Sequence, residues 1–199
     1  MNRVDVIVIG GSAGALPALF EMLPALPDRL AAPIVVVIHI PPARPSLLPE
    51  LLARVCRRSV AEVEDKLAIQ PHTIYVAPPN YHVLIERDRT LALSVDPPVH
   101  FSRPSIDVLF ESAADTFGGG ALGVLLSGAS EDGARGLARI HRAGGAAVIQ
   151  DPGCSPHPEM PQAALRWLRG EARICWVGGL ASAVAELGGI VTSHQDCDR

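Results

Sequence analysis

Val4-Asp5-Val6-Ile7-Val8-Ile9-Gly10-Gly11-Ser12-Ala13-Gly14 decides the fold class of this 199-residue chain. The strand-forming run from Val4 to Ile9 suits a parallel strand buried between two layers. It ends in Gly-Gly-Ser, and Leu16, Leu19, Phe20 and Leu23 then recur at helical spacing, which predicts a sharp strand-to-helix turn. Glycine tolerates backbone angles that strain other residues, so the turn can be tight and Ser12 lifted into a crevice. At a helix N-terminus, Ser12 would sit beside unpaired N–H groups and the positive end of the macrodipole. That setting suits a hydroxyl that becomes an anion while attacking a carbonyl. It equally suits phosphate binding, or a serine that simply caps the helix.

Strand and helix signals alternate from there. Ile34 to Ile38 is a second apolar strand, closed by His39-Ile40-Pro41-Pro42, and Leu47, Leu48, Leu51, Leu52 and Val55 form one helix face. Between Val60 and Val95, short runs (Thr73 to Ala77, Val83 to Glu86, Thr90 to Val95) are separated by Pro78-Pro79-Asn80 and Arg87-Asp88, the texture of strands with a hairpin. Ile106 to Ala113 then reads as helix, Leu122 to Leu126 as strand, Ala134 to Ala143 as helix and Ala146 to Ile149 as strand. Pro161 to Leu168 (helix), Arg173 to Val177 (strand) and Leu180 to Leu187 (helix) complete the series. The rhythm predicts an α/β fold: a doubly wound, mostly parallel, Rossmann-like sheet with a small antiparallel hairpin insertion. One domain is expected over residues 1–190, with a polar C-terminal tail at 191–199.

Composition excludes several function classes. The chain is 48% hydrophobic and 19% charged with a net charge of −4 and no Lys/Arg run, so nothing argues for nucleic acid. No uninterrupted apolar stretch approaches the roughly 20 residues that span a bilayer. Arg3 before the apolar stretch Val6 to Phe20 resembles a secretory signal, but Asp5 and the Gly10-Gly11-Ser12 break mark it as mature structure. Cys56, Cys154, Cys175 and Cys197 lie far apart and read as reduced thiols of a cytosolic protein. His72, His82, His100, His141, His157 and His194 show no paired spacing, and Cys154 with His157 is a lone weak pair, so no metal site is expected. A dinucleotide fingerprint starting at Gly10 would need glycine at Ser12 and Ala15, and the second strand ends in His39 rather than an acidic residue.

Ligands of open α/β sheets bind outside the carboxyl ends of the strands. Ser12, His39 and Asp132 all follow predicted strands there, and together they supply the nucleophile, base and orienting carboxylate of acyl transfer. The chain order Ser, His, Asp differs from that of α/β-hydrolases. Each member also has a plainer reading: His39 as a strand terminator, Asp132-Gly133 as a turn and cap pair. Asp151, before Pro152, is a second candidate carboxylate, and spacing leaves the two open.

Longer blocks narrow the choice. They are Val8 to Gly14, the strand ending in His39, Tyr75-Val76-Ala77-Pro78-Pro79-Asn80-Tyr81-His82, Ser102-Arg103-Pro104-Ser105-Ile106-Asp107-Val108-Leu109-Phe110, Leu126-Ser127-Gly128, Glu131 to Gly136, Gln150-Asp151-Pro152 and Pro158 to Pro161. In this order they resemble the catalytic domain of the chemotaxis protein-glutamate methylesterases, the CheB family, from Val4 to about Gly188. The resemblance implies Ser12 as nucleophile, His39 as base and Asp132 as carboxylate, with Asp151 a structural turn. It implies an oxyanion hole of backbone N–H groups near Ala13 and Ala129. It also brings Arg103 to the crevice, either holding an acidic receptor helix or forming an ordinary salt bridge. The implied reaction is hydrolysis of γ-glutamyl methyl esters on the cytoplasmic helices of methylated chemoreceptors, with glutamine deamidation as a side activity and no cofactor. The implied enzyme is cytoplasmic, without membrane insertion or nucleic-acid partner. Gly128-Ala129-Ser130 departs from the family's usual Gly-Met-Gly, which leaves a second expectation, a weakened domain that binds receptors or signalling partners. The family usually carries an N-terminal receiver domain, whereas this sequence starts at the first catalytic strand, so a stand-alone esterase domain is expected.

Overall fold

The computed structural model describes residues 4–40 and 45–189; Pro41, Pro42, His194, Cys197 and the expected tail lie outside the described residues. Strand β1 (Val6–Gly11) leads into α1 (Ala15–Ala25), and β2 (Ile34–Ile38) precedes α2 (Leu48–Val55). Five strands follow: β3 (Ser59–Glu62), β4 (Leu67–Ala68), β5 (Thr73–Val76), β6 (His82–Ile85) and β7 (Thr90–Ser94). The α/β rhythm then returns with α3 (Ile106–Phe117), β8 (Ala121–Leu125), α4 (Ala134–Arg142) and β9 (Ala146–Gln150). The chain closes with α5 (Glu159–Leu168), β10 (Arg173–Cys175) and α6 (Leu180–Leu187).

The main sheet has the order β10-β9-β8-β1-β2-β5-β3, and every pairing in it is parallel. The expected hairpin is β6–β7, joined by the two-residue β4 in a separate antiparallel sheet. Thr73 to Ala77 does not belong to that insertion. As β5 it pairs parallel with β2 and β3, and Ile74, Tyr75 and Val76 are buried on both faces. The edge strand β3, half exposed, has too weak an alternation to announce itself. Helix α5 starts two residues before Pro161, because a proline in the first turn gives up an N–H that has no helical partner there.

Alternating residues of β1 feed two cores. Val6 and Val8 pack with α3, α4, α5 and the antiparallel unit, while Ile7 and Ile9 pack with α1, α2 and α6. Each such fully buried aliphatic side chain stabilises the fold by about 1.5–3 kcal/mol. With both faces covered, the doubly wound reading holds. No helix among the described residues is long and apolar enough to cross a membrane. The sheet order also sets the site: β1 lies between β2 and β8, whose chain connections run away from it to opposite sides, and a crevice opens at their carboxyl ends.

Candidate active site

Ser12 leaves β1 one residue after its last sheet position. Its N–H donates to the Ser127 carbonyl at 2.9 Å, and its own carbonyl accepts from Ala15 N at 3.1 Å. The cap position of α1 falls to Gly14, at φ +76°, and no side chain caps the helix. The hydroxyl of Ser12 is therefore not a cap. Buried Ser127 braces this turn: its N–H donates to Gln150 Oε1 and its hydroxyl to the Ala13 carbonyl, each at 2.9 Å. The N–H groups of Ala13 and Ala129 have no protein acceptor among the described residues, and both residues are exposed. They are free donors on the two loops flanking Ser12.

His39 follows β2, and its N–H donates to the Gly11 carbonyl at 3.1 Å. Because Gly11 is in register with Ile38, Ser12 and His39 emerge side by side. The ring donates through Nε2 to Asp132 Oδ2 at 2.9 Å. Asp132, wholly buried, also accepts from Ser105 Oγ (2.8 Å), Ile106 N (2.7 Å) and Asp107 N (3.0 Å). Two of those donors are first-turn amides of α3, which have no helical acceptor and carry the positive end of the helix dipole. Gly10 makes this possible, since any Cβ there would strike Ile106 and push the start of α3 away. Burial pushes the Asp132 carboxyl up, but the hydrogen bonds from His39, Asp107 and Ile106 outweigh it and hold the group below the usual carboxylate range. An ionised Asp132 keeps the ring proton on Nε2, so Nδ1 is the nitrogen free to act as a base.

In this structure His39 Nδ1 is engaged by Ser102 rather than by Ser12. It accepts from Ser102 Oγ at 3.3 Å, and no hydrogen bond among the described residues joins Ser12 Oγ to the ring. Nothing in the spacing of Ser102 along the chain signals a role, and for Ser105 the one local signal is its place just before the helix that starts at Ile106.

Ser102 closes a two-residue turn. Val99 and Ser102 exchange backbone hydrogen bonds of 3.1 and 2.9 Å, and the central residues His100 and Phe101 have φ of 49° and 60°. Positive φ at both positions defines a type I′ turn, which favours Asn-Gly. For other residues this conformation costs on the order of 1–3 kcal/mol each. His100 Nε2 lies 3.3 Å from Asp107 Oδ2, an oxygen without a hydrogen-bond partner among the described residues. Burial, together with the nearby Asp132 charge, pushes the Asp107 carboxyl up, although Gly136 N donates to it. His100, Asp107 and Asp132 bring possible ligand atoms within 4.8 Å of one another. Asp132 already accepts from four donors and has no lone pair to spare, and the remaining two ligands are too few for a metal.

The other predicted residues fall as follows. Arg103 lines the crevice but makes no salt bridge among the described residues: its guanidinium donates to Asn80 Oδ1 and to the Val95 and Asp96 carbonyls, tying the exit of β7 to the approach to α3. His82 is structural, accepting from Ser105 N and reaching the Pro97 carbonyl. Asp151 accepts from Gly153 N in its own turn, at the end of β9, with β8 between it and β1. Ser130 accepts from Asp132 N at 3.2 Å without a positive φ, so the departure from Gly-Met-Gly supports the carboxylate. Cys56, Cys154 and Cys175 are free thiols, and burial pushes those of Cys56 and Cys175 up, away from nucleophilic thiolate.

The crevice beside His39 has a volume of about 170 Å³, walled by Asn80, Pro98, Ser102 and Arg103 with Phe101 at the rim. Larger cavities of about 460 and 470 Å³ lie at the amino ends of the strands, near Asp5 and Pro33, and beside Trp167 and Arg169. Neither holds a nucleophile beside a base.

A parallel α/β sheet with a serine, an Asp-bound histidine and free backbone donors at one mouth defines an α/β protein with a candidate serine-hydrolase site. The family model for the CheB methylesterase matches residues 7–183, and the chain belongs to that family. It is 45% identical over 161 residues to a Leptospira interrogans protein with the provisional name protein-glutamate methylesterase/protein-glutamine glutaminase, covering 81% of this chain and 83% of that one. It is 37% identical to the protein-glutamate methylesterase/protein-glutamine glutaminase 1 of Carboxydothermus hydrogenoformans, over 92% of this chain but 55% of that one. The crystal structure of the Thermotoga maritima CheB methylesterase catalytic domain superimposes with a TM-score of 0.86 at 25% identity, over 94% of this chain and all of that one.

Proposed function

We propose that this chain is a protein-glutamate methylesterase, hydrolysing γ-glutamyl methyl esters on the cytoplasmic helices of methylated chemoreceptors through Ser12, His39 and Asp132. The observation that carries the reading is the saturated, buried Asp132 on His39 Nε2, which leaves Nδ1 as the base on the strand end next to that of Ser12. The Ser12 hydroxyl attacks the ester carbonyl while Nδ1 takes its proton, and Asp132 stabilises the imidazolium. The N–H groups of Ala13 and Ala129 receive the developing oxyanion. Collapse breaks the C–O bond, and the imidazolium returns its proton to the departing methoxide as methanol. Water, deprotonated by the same nitrogen, then attacks the glutamyl-serine ester and frees the carboxylate. With glutamine the same steps release ammonia. Arg103 shapes the crevice wall. The substrate's position places the enzyme in the cytoplasm.

Methanol release from a methylated receptor fragment tests the reading, and unchanged release by Ser12→Ala refutes the nucleophile. The Ser102–His39 contact favours a second reading, with Ser102 as nucleophile. Against it, the Ser102 N–H is spent on the Val99 carbonyl, whereas the free donors flank Ser12. Mapping a fluorophosphonate adduct to Ser12 or Ser102 separates the two, and no adduct at either serine leaves only a binding domain.

A further inference from the structure

Phe101 is fully exposed, yet it occupies a backbone conformation in which glycine would be free of strain. The turn that carries it is tethered on both sides, by His100 to Asp107 and by Ser102 to His39, so the ring stands at the rim of the crevice. A large apolar side chain held in solvent at a strained position contributes nothing to the core. Its place beside the base gives it a use only when something larger than the reacting side chain covers the rim.

From this we infer that Phe101 is a specificity-determining contact, packing on an apolar side chain of the substrate helix next to the esterified glutamate. The inference rests on the proposed methylesterase activity. Phe101 neighbours Ser102, whose hydroxyl touches the base, and it lines the same crevice as His39. On a helix the neighbours of a glutamate are the residues three and four positions away, about 5–6 Å off, which is within the span of a phenyl side chain. A free glutamate ester has no such neighbour. The turn thus favours a helix-borne ester over a small one.

The test compares kcat/KM for methanol release from a methylated chemoreceptor signalling fragment and from N-acetyl-glutamate γ-methyl ester. In Phe101→Ala and Phe101→Gly the ratio of protein to small ester is expected to fall about tenfold, as for a buried aromatic anchor, and Phe101→Leu to retain most of it. Phe101→Gly is also expected to melt above Phe101→Ala, because glycine relieves the positive φ. An unchanged ratio, or a proportional loss on both substrates, overturns the inference and leaves the methylesterase reading standing. No methanol from the receptor fragment with the wild-type protein overturns that reading, and the inference falls with it.

Discussion

Ser102→Ala is the most informative single substitution. The Ser102 hydroxyl donates to His39 Nδ1, the nitrogen that must take the Ser12 proton, so it has to give way before the reaction can start. At 3.3 Å the bond is at the weak end of its class, with a net value of about 0.5–1 kcal/mol. Removing it lowers the barrier by that amount, which is a rise of about two- to fivefold in kcat/KM. The assay is methanol release from N-acetyl-glutamate γ-methyl ester near neutral pH, with thermal melting as a control; Ser102 is half-buried, so the melting temperature should change little. A fall of a thousandfold or more, matching Ser12→Ala, would refute the reasoning and make Ser102 the nucleophile. No change at all would show that the contact does not form in solution.

Other outcomes follow from the same geometry. Asp132→Asn should reduce turnover by about 10³–10⁴ by losing control of the ring tautomer. It should also cost about 1–3 kcal/mol, because an amide N–H₂ replaces an oxygen that accepts two donors; melting and methanol release check both. Since the folded Asp132 pKa is depressed, its stabilisation is present above the unfolded value of about 3.9 and is lost as pH falls through the folded value, so the gap between wild type and this variant should close in acid. Asp107 has the opposite sign. Its pKa is raised on folding, so its contribution declines as pH rises from about 3.9 through the raised value, and the Asp107→Asn melting temperature should gain on wild type over that window. A gap independent of pH would show that the buried charge is not the cause. Gly10→Ala should cost about 1–3 kcal/mol by overpacking against Ile106, and should lower activity further as the α3 amides leave Asp132. Normal activity in a destabilised Gly10→Ala protein would uncouple α3 from the carboxylate.

Sequence alone determined the layered α/β fold and most of its elements, because apolar periodicity and glycine or proline punctuation act over a few residues and persist in any context. It also brought Ser12, His39 and Asp132 to strand ends, where such folds place their chemistry. It read Thr73 to Ala77 as a strand but left its sheet open, since a short apolar run reads the same in a parallel sheet and in a hairpin, and only its neighbours decide. Tertiary structure alone decided the hydrogen bonding. The donors to Asp132 come from 25 to 93 residues away, Ser102 meets His39 across 63 residues, and the amides that charge the site belong to a helix brought close by a missing Cβ at Gly10. Direction and distance between such groups depend on packing of whole elements, and no local pattern in the chain encodes them.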